Sequence, residues 1–263
     1  MNTPDFQRMK NDNKKISMVT CYDYWSAYII SQSNVDCILV GDSIAMVMYG
    51  HATTLPATVD MIAQHVQAVS KGAPNKFIIG DMPFCSYRKN LTMSMNVIEK
   101  LMQSGAQAIK LEGADDSNLK LIRHVVKSGI PVMGHIGLTP QSVHAFGGFK
   151  VQGKEQSAAE KLVTDAKTLA KAGCFAVVLE CLASELAELI TDSISIPTIG
   201  IGAGPATSGQ VLVLQDLLGM NDQFKPKYLK KFLNGFELIK EALNSFDNEV
   251  KTALYPHHET HGY

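Results

Sequence analysis

The sequence predicts a single-domain (β/α)8 barrel of the TIM type. Three observations carry this expectation. Short apolar runs recur along the whole chain, amphipathic stretches with helical spacing lie between them, and the 263 residues match the ~250 typical of such a barrel, at one strand every ~30 residues. The apolar runs are continuous rather than alternating, as in strands covered on both faces.

Taken in order, the candidate strands are "ISMVT" from Ile16, "CILVGD" from Cys37, "FIIGDMPF" from Phe77 and "AIKLEG" from Ala108. They continue with "PVMGHIG" from Pro131, "AVVLEC" from Ala176, "IPTIGIGAG" from Ile196 and "QVLVLQ" from Gln210. The clearest helical stretches run from Met61 to Lys71, Ser94 to Ser104, Ser117 to Ser128 and Ser157 to Ala172. Gly72, Gly105, Gly129 and Gly173 stand at or just after their ends, where a helix C-terminus favours glycine. A doubly wound open sheet is the competitor, and the number of strands favours the barrel. No linker rich in Pro, Gly or Ser divides the chain, so residues 1–263 read as one barrel domain whose segment beyond Phe224 is helical and ends in the polar "YPHHETHGY".

Composition narrows the function. Hydrophobic residues make up 46%, charged residues 19%, and the formal net charge is -1, values of an ordinary globular protein. Without a basic cluster to neutralise phosphates, nucleic acid is not an expected partner. The five cysteines are odd in number and lack CxxC spacing, which suits free thiols in a reducing cytoplasm. The polar amino terminus has no signal-peptide pattern, and no apolar run reaches the ~20 residues of a membrane helix. The expectation is a cytoplasmic protein acting on small molecules.

Acids recur where apolar runs stop. In a parallel barrel the active site lies at the carboxyl ends of the strands. Asp42 follows the second run, Asp81 falls late in the third, Lys110 and Glu112 close the fourth, His135 lies in the fifth and Glu180 ends the sixth. Any one could be a turn residue or a helix cap. Together they are harder to explain that way, because buried carboxylates require a cation or hydrogen bonds. Asp42, Asp81 and Glu112 offer hard oxygen, with no Cys or His at ligand spacing, which suits Mg2+ rather than zinc. Lys110 and Glu112, two apart on a strand, share a face. A cation there could hold a 2-oxo acid and stabilise its enolate. Glu180, expected across the barrel, is the candidate base, and Lys110 and His135 could hold negative charge or shuttle protons.

At these residues the chain resembles the ketopantoate hydroxymethyltransferase family. The likeness is carried by "TCYDYWSA", "LVGDS", "GHATTLP", "GAPNKFIIGDMPF", "IKLEG", "GHIGLTPQSVHAFGGFKVQG", "VVLEC" and "IPTIGIGAG", in family order from Ile16 to Tyr255. The resemblance implies a (β/α)8 barrel that transfers a one-carbon unit from 5,10-methylenetetrahydrofolate to 3-methyl-2-oxobutanoate, giving 2-dehydropantoate on the pantothenate pathway. It implies Mg2+ at Asp42 and Asp81, with Glu112 contributing through water. It implies that Asp42, Ser43, Asp81, Lys110 and His135 bind substrate, that Glu180 is the base, and that copies assemble into a homo-oligomer, commonly a decamer. Ala45, Ala52 and Ser208 depart from the family's usual glycine, charged residue and aspartate, which bears on folate affinity or loop packing.

Other features have plainer readings. "GIGAG" from Gly200 lacks dinucleotide-binding spacing and reads as a tight strand-to-loop passage. "HAFGGFK" from His144 reads equally as a lid or a surface turn. Two rival functions remain open from the residues alone. One is a Mg2+-dependent lyase of the phosphoenolpyruvate mutase and isocitrate lyase group, which would need a catalytic cysteine loop. The other is a barrel that has lost activity, which would be expected to have lost part of this residue set.

Overall fold

The computed structural model describes residues 1–263 and packs as two compact units, Met1–Val213 and Leu214–Tyr263. The first is a closed eight-stranded parallel barrel. Its strands are β1 (Ile16–Thr20), β2 (Cys37–Val40), β3 (Phe77–Asp81), β4 (Ala108–Glu112), β5 (Val132–Gly137), β6 (Ala176–Glu180), β7 (Thr198–Ile201) and β8 (Gly209–Leu212). Each pairs with its sequence neighbour, and β8 returns to β1 through Ile16↔Gly209 to Val19↔Leu212. Closure excludes the doubly wound sheet.

The expected helices form, with ends set by side-chain caps. Val59–Gly72 starts where Thr58 Oγ1 accepts the Met61 N–H, Leu91–Gln103 where Asn90 accepts that of Met93, and Asp116–Lys127 where Asp115 accepts those of Ser117 and Asn118. Each cap satisfies an N–H that the first turn leaves unpaired. Gln156–Ala172 ends at Gly173 in the left-handed conformation (φ 100°). Strict alternation fails once: no helix separates β7 from β8. The pairing Ile199↔Gly209 shows why. The chain need only step back from Ile201 to the level of Ile199, so the short loop 202–208 suffices.

The barrel interior is filled by every second strand residue. Ile16 and Met18, Cys37 and Leu39, Phe77 and Ile79, Ala108, Met133, Ala176 and Val178, Ile199 and Val211 form one buried cluster, as strand period two requires. Phe6 also belongs to it, although the polar amino terminus gave no sign of a structural role. A helix, Thr3–Asn11, opens with a capping box between Asn2 and Asp5 and inserts Phe6 into the cluster. The Phe6 ring meets Phe77 and Phe175 edge-on, at centroid separations of 5.5 and 5.0 Å. A single aromatic residue in a polar stretch has no periodicity to reveal it.

The second unit comprises the short helix Leu214–Leu217, the long helix Gly235–Lys251 and a final turn, His258–His261. The long helix is amphipathic, yet only its first residue is buried. No helix of the chain is long and apolar enough to cross a membrane.

Phe6→Ala removes a fully buried ring and should lower unfolding free energy by about 3–5 kcal/mol. Urea denaturation measures it, and a loss well under 1 kcal/mol would mean that Phe6 does not hold the barrel floor.

Candidate active site

The alternation that fills the barrel also sets the polar site. Asp81 is in phase with Phe77 and Ile79, Lys110 and Glu112 with Ala108, His135 with Met133, and Glu180 with Ala176 and Val178. All five therefore project inward, as the uppermost residues of the same columns. Strand register places them side by side: Asp81 is paired with Lys110, Glu112 with His135, and Glu180 with Gly137. Gly137 (φ 96°) permits this last approach, since a Cβ there would collide with the Glu180 carbonyl oxygen.

Asp42 and Ser43 arrive differently. β2 ends at Val40, so Asp42 sits in the turn that leads into the short helix Ile44–Val47. The turn is fixed by the Asp42 N–H, which donates to Asp81 Oδ2 (3.2 Å). Ser43 Oγ shares a 2.6 Å hydrogen bond with the buried Tyr22 hydroxyl.

The contacts make one cluster. Lys110 Nζ lies 3.0 Å from Asp81 Oδ1 and 3.6 Å from Glu112 Oε1. His135 Nδ1 is 3.4 Å from Glu112 Oε1, and its Nε2 is 3.2 Å from Glu180 Oε2. Glu180 thus contacts His135 on the neighbouring strand while β6 stands across the barrel from β2, whose end leads to Asp42. The Glu180 side chain is 18% exposed, and those of its four neighbours in the cluster are buried.

Burial dominates the electrostatics. It pushes the Asp42 carboxyl well above its ordinary range, with the charges of Asp81 and Glu112 adding to the shift. Asp81 is raised by burial too, against the opposing pull of Lys110. Burial would raise Glu112 as well, but Lys110 and the contacts with His135 bring it below the usual value. Lys110 stays charged because Asp81, Glu112 and Asp42 overcome its desolvation. His135 is desolvated and repelled by Lys110, yet Glu112 and Glu180 lift it to about 9. Four carboxylates thus face two cations, and full ionisation leaves two negative charges in excess.

That excess decides what the site can hold. Asp81 Oδ1 and Glu112 Oε1 are buried with no well-aligned hydrogen bond, and they meet only the ion-pair partners Lys110 and His135. A divalent cation would cancel the excess and employ such oxygens. No three His, Cys, Asp or Glu side chains form a ready cage for a metal, so the protein would supply one or two carboxylates directly. This is how Mg2+ usually binds, with water and substrate completing its shell. The residues fit that ion.

Sequence reasoning missed Gln141, Tyr87 and Tyr22. Gln141 is buried in the turn Pro140–Ser142 and hydrogen-bonds both Asp42 and Glu112. Tyr87 donates to Gln141 Oε1 (2.9 Å). Both lie in loops, where apolar periodicity says nothing. The only signal was that Gln141 falls within the long motif 134–153 and Tyr22 within 20–27. Of the departures, Ser208 exchanges hydrogen bonds with Thr198 at the start of β7, whereas the Ala45 N–H donates to the Asp42 carbonyl.

A family model described as "Ketopantoate hydroxymethyltransferase" matches residues 1–258. The chain belongs to this family. A Coxiella burnetii protein named 3-methyl-2-oxobutanoate hydroxymethyltransferase is 82% identical over 100% of this chain and 99% of its own. Proteins of the same name from Bdellovibrio bacteriovorus and Legionella pneumophila are 58% and 52% identical, covering 96% and 98% of this chain and 95% and 99% of their own. A ketopantoate hydroxymethyltransferase is an enzyme, a one-carbon transferase whose step belongs to pantothenate synthesis, and these matches give this chain that activity. Among solved structures the barrel resembles 2,3-dimethylmalate lyase, of the PEP mutase/isocitrate lyase superfamily (TM-score 0.64, 15% identity, 94% of this chain and 88% of that one). It also resembles a phosphonopyruvate hydrolase in complex with oxalate and Mg++ (TM-score 0.63, 10% identity, 96% and 88%). At these identities the likeness is one of fold.

His135 yields a pH signature in the metal-free protein. Its value in the fold, about 9, exceeds the ordinary imidazole value of ~6.5. Its contribution to stability is therefore complete below the lower value and lost as pH rises through the upper one. The difference in unfolding free energy between the parent and His135→Asn should shrink across this window. Urea titrations at several pH values check it, and a constant difference would mean that His135 is neutral in the fold.

Proposed function

We propose that Asp42 and Asp81 bind one Mg2+ ion, with Glu112 acting through water, and that Glu180 is the general base of the transfer. The substrates are 3-methyl-2-oxobutanoate and, as one-carbon donor, 5,10-methylenetetrahydrofolate. The observation that carries this reading is the buried excess of carboxylates over cations around Asp42, Asp81 and Glu112. When bound, Mg2+ supplies the charge that grips the 2-oxo acid oxygens and stabilises the enolate.

The chain's own residues have separable tasks. Ser43, oriented by Tyr22, and Lys110 offer donors to the substrate carboxylate. Glu180, the member of its ion-paired group most open to solvent, accepts the C3 proton, and His135 holds its Oε2 in place. The nucleophilic carbon then takes the folate methylene. Overall one water is consumed: its oxygen becomes the product hydroxyl, and its remaining proton and the C3 proton end on the two folate nitrogens.

The five cysteines are all free thiols, which supports a cytoplasmic setting. Burial raises Cys181, beside Glu180, to about 11, which supports a packed thiol rather than a nucleophile. A decamer is the assembly that the family resemblance implies, and homo-oligomerisation is supported by the helix Gly235–Lys251. Ile239, Leu243, Phe246 and Val250 are exposed there at a spacing that forms one apolar face. Analytical ultracentrifugation should give the mass of ten chains, and a monomer at micromolar concentration would overturn the assembly.

The decisive experiment follows deuterium exchange at C3 of 3-methyl-2-oxobutanoate in heavy water. Exchange should require Mg2+ and vanish in Asp81→Ala. In Glu180→Gln it should slow by roughly two to four orders of magnitude with substrate binding retained. Normal exchange in that variant would give the role of base to another group.

A further inference from the structure

We infer that Gln141 is a positioning residue whose carboxamide fixes the orientation of Asp42 toward the metal. The inference rests on the Mg2+ reading above. Its basis is that every polar atom of this buried side chain is already assigned to the site. Nε2 donates to Asp42 Oδ2 and to the carbonyl oxygen of Met82, each at 2.9 Å. Oε1 accepts from the Tyr87 hydroxyl at 2.9 Å, and the Gln141 backbone N–H donates to Glu112 Oε2 at 3.0 Å.

The orientation of the amide is forced. The Met82 carbonyl only accepts, and so does Asp42 when ionised to hold a cation, so a flipped amide would set its oxygen against two acceptors. Tyr87 is pinned in turn, since its hydroxyl also accepts the Glu112 N–H (3.3 Å) and its ring lies under the Arg88 guanidinium. Arg88 and Asn118 both donate to the Glu112 carbonyl. These contacts tie the loops after β3 and β5 and the end of β4 to a single amide. With Asp42 Oδ2 held by Gln141, its other oxygen is the one left for a cation. A carboxylate ligand held this way is worth more than one free to rotate.

Gln141 also opens the segment that bridges β5 to the next long helix. Beyond it lie Gly147 and Gly148, both at positive φ. The segment is pinned again where the Gln152 N–H donates to the Cys181 carbonyl, next to Glu180. One end therefore reports on the carboxylates and the other on the proposed base.

The test measures Mg2+ alone binding to the full-length chain by isothermal titration calorimetry, with Tm recorded alongside. Gln141→Leu keeps the backbone bond to Glu112 and removes only the amide. It should raise the Mg2+ Kd about 10–100-fold, and kcat should recover when Mg2+ is raised to saturation. A folded Gln141→Leu with a Kd within about threefold of the parent, far short of the usual cost of losing a supporting contact, would overturn the inference and leave the metal reading intact. If the parent itself binds no Mg2+, both fall. Should Gln141→Leu fail to fold, Tyr87→Phe removes the donor to Oε1 while keeping the ring. It should weaken Mg2+ binding in the same direction, and an unchanged Kd there would overturn the inference.

Discussion

Charge that cannot reach water is the constraint around which this barrel's upper end is organised. Asp42, Asp81 and Glu112 are buried, and desolvating three carboxylates is unfavourable unless positive charge sits among them. Lys110 provides part of it, His135 adds to it when protonated, and the remainder is what a divalent cation would supply. The same burial drives the directions of titration. Desolvation pushes Asp42 upward and its two carboxylate neighbours add to the shift, whereas Lys110 and His135 overcome burial at Glu112 and pull it down.

Strand geometry makes the cluster possible at little conformational cost. Residues that alternate inward along β3 to β6 are apolar at the lower levels and charged at the top, and parallel register sets neighbours at the same height. Lys110 and Glu112 reach Asp81 on one side and His135 on the other because β4 lies between β3 and β5. A helix could not place Asp81, Lys110, Glu112, His135 and Glu180 this way, since its neighbours recur at three and four residues.

The kinship in fold with the PEP mutase/isocitrate lyase superfamily gives the lyase reading its proper weight. A parallel barrel that gathers carboxylates at its upper end suits 2-oxo acid chemistry in general, and sequence identities of 10–15% carry the scaffold and nothing more. Which reaction is run depends on the groups around the carboxylates. In this chain Cys181 is a half-buried thiol with a raised pKa, and the family match over residues 1–258 settles the activity as hydroxymethyl transfer.

The barrel was legible because strands buried on both faces must be apolar throughout, and a charged residue interrupting such a run stands out. That is how Asp81, Lys110, Glu112, His135 and Glu180 could be named before any geometry, and how the helices could be placed to within a few residues of their caps. What stayed hidden has a common cause. Phe6 and Gln141 act through contacts with residues far along the chain, from segments whose local pattern carries no period. The proximity of Glu180 to His135 depends on the register of β5 against β6. Sequence by itself determined which residues are inward-facing, because alternation is a local property of the chain. Only the tertiary structure decided which of them touch, because barrel closure and loop packing set distances that no spacing along the chain encodes.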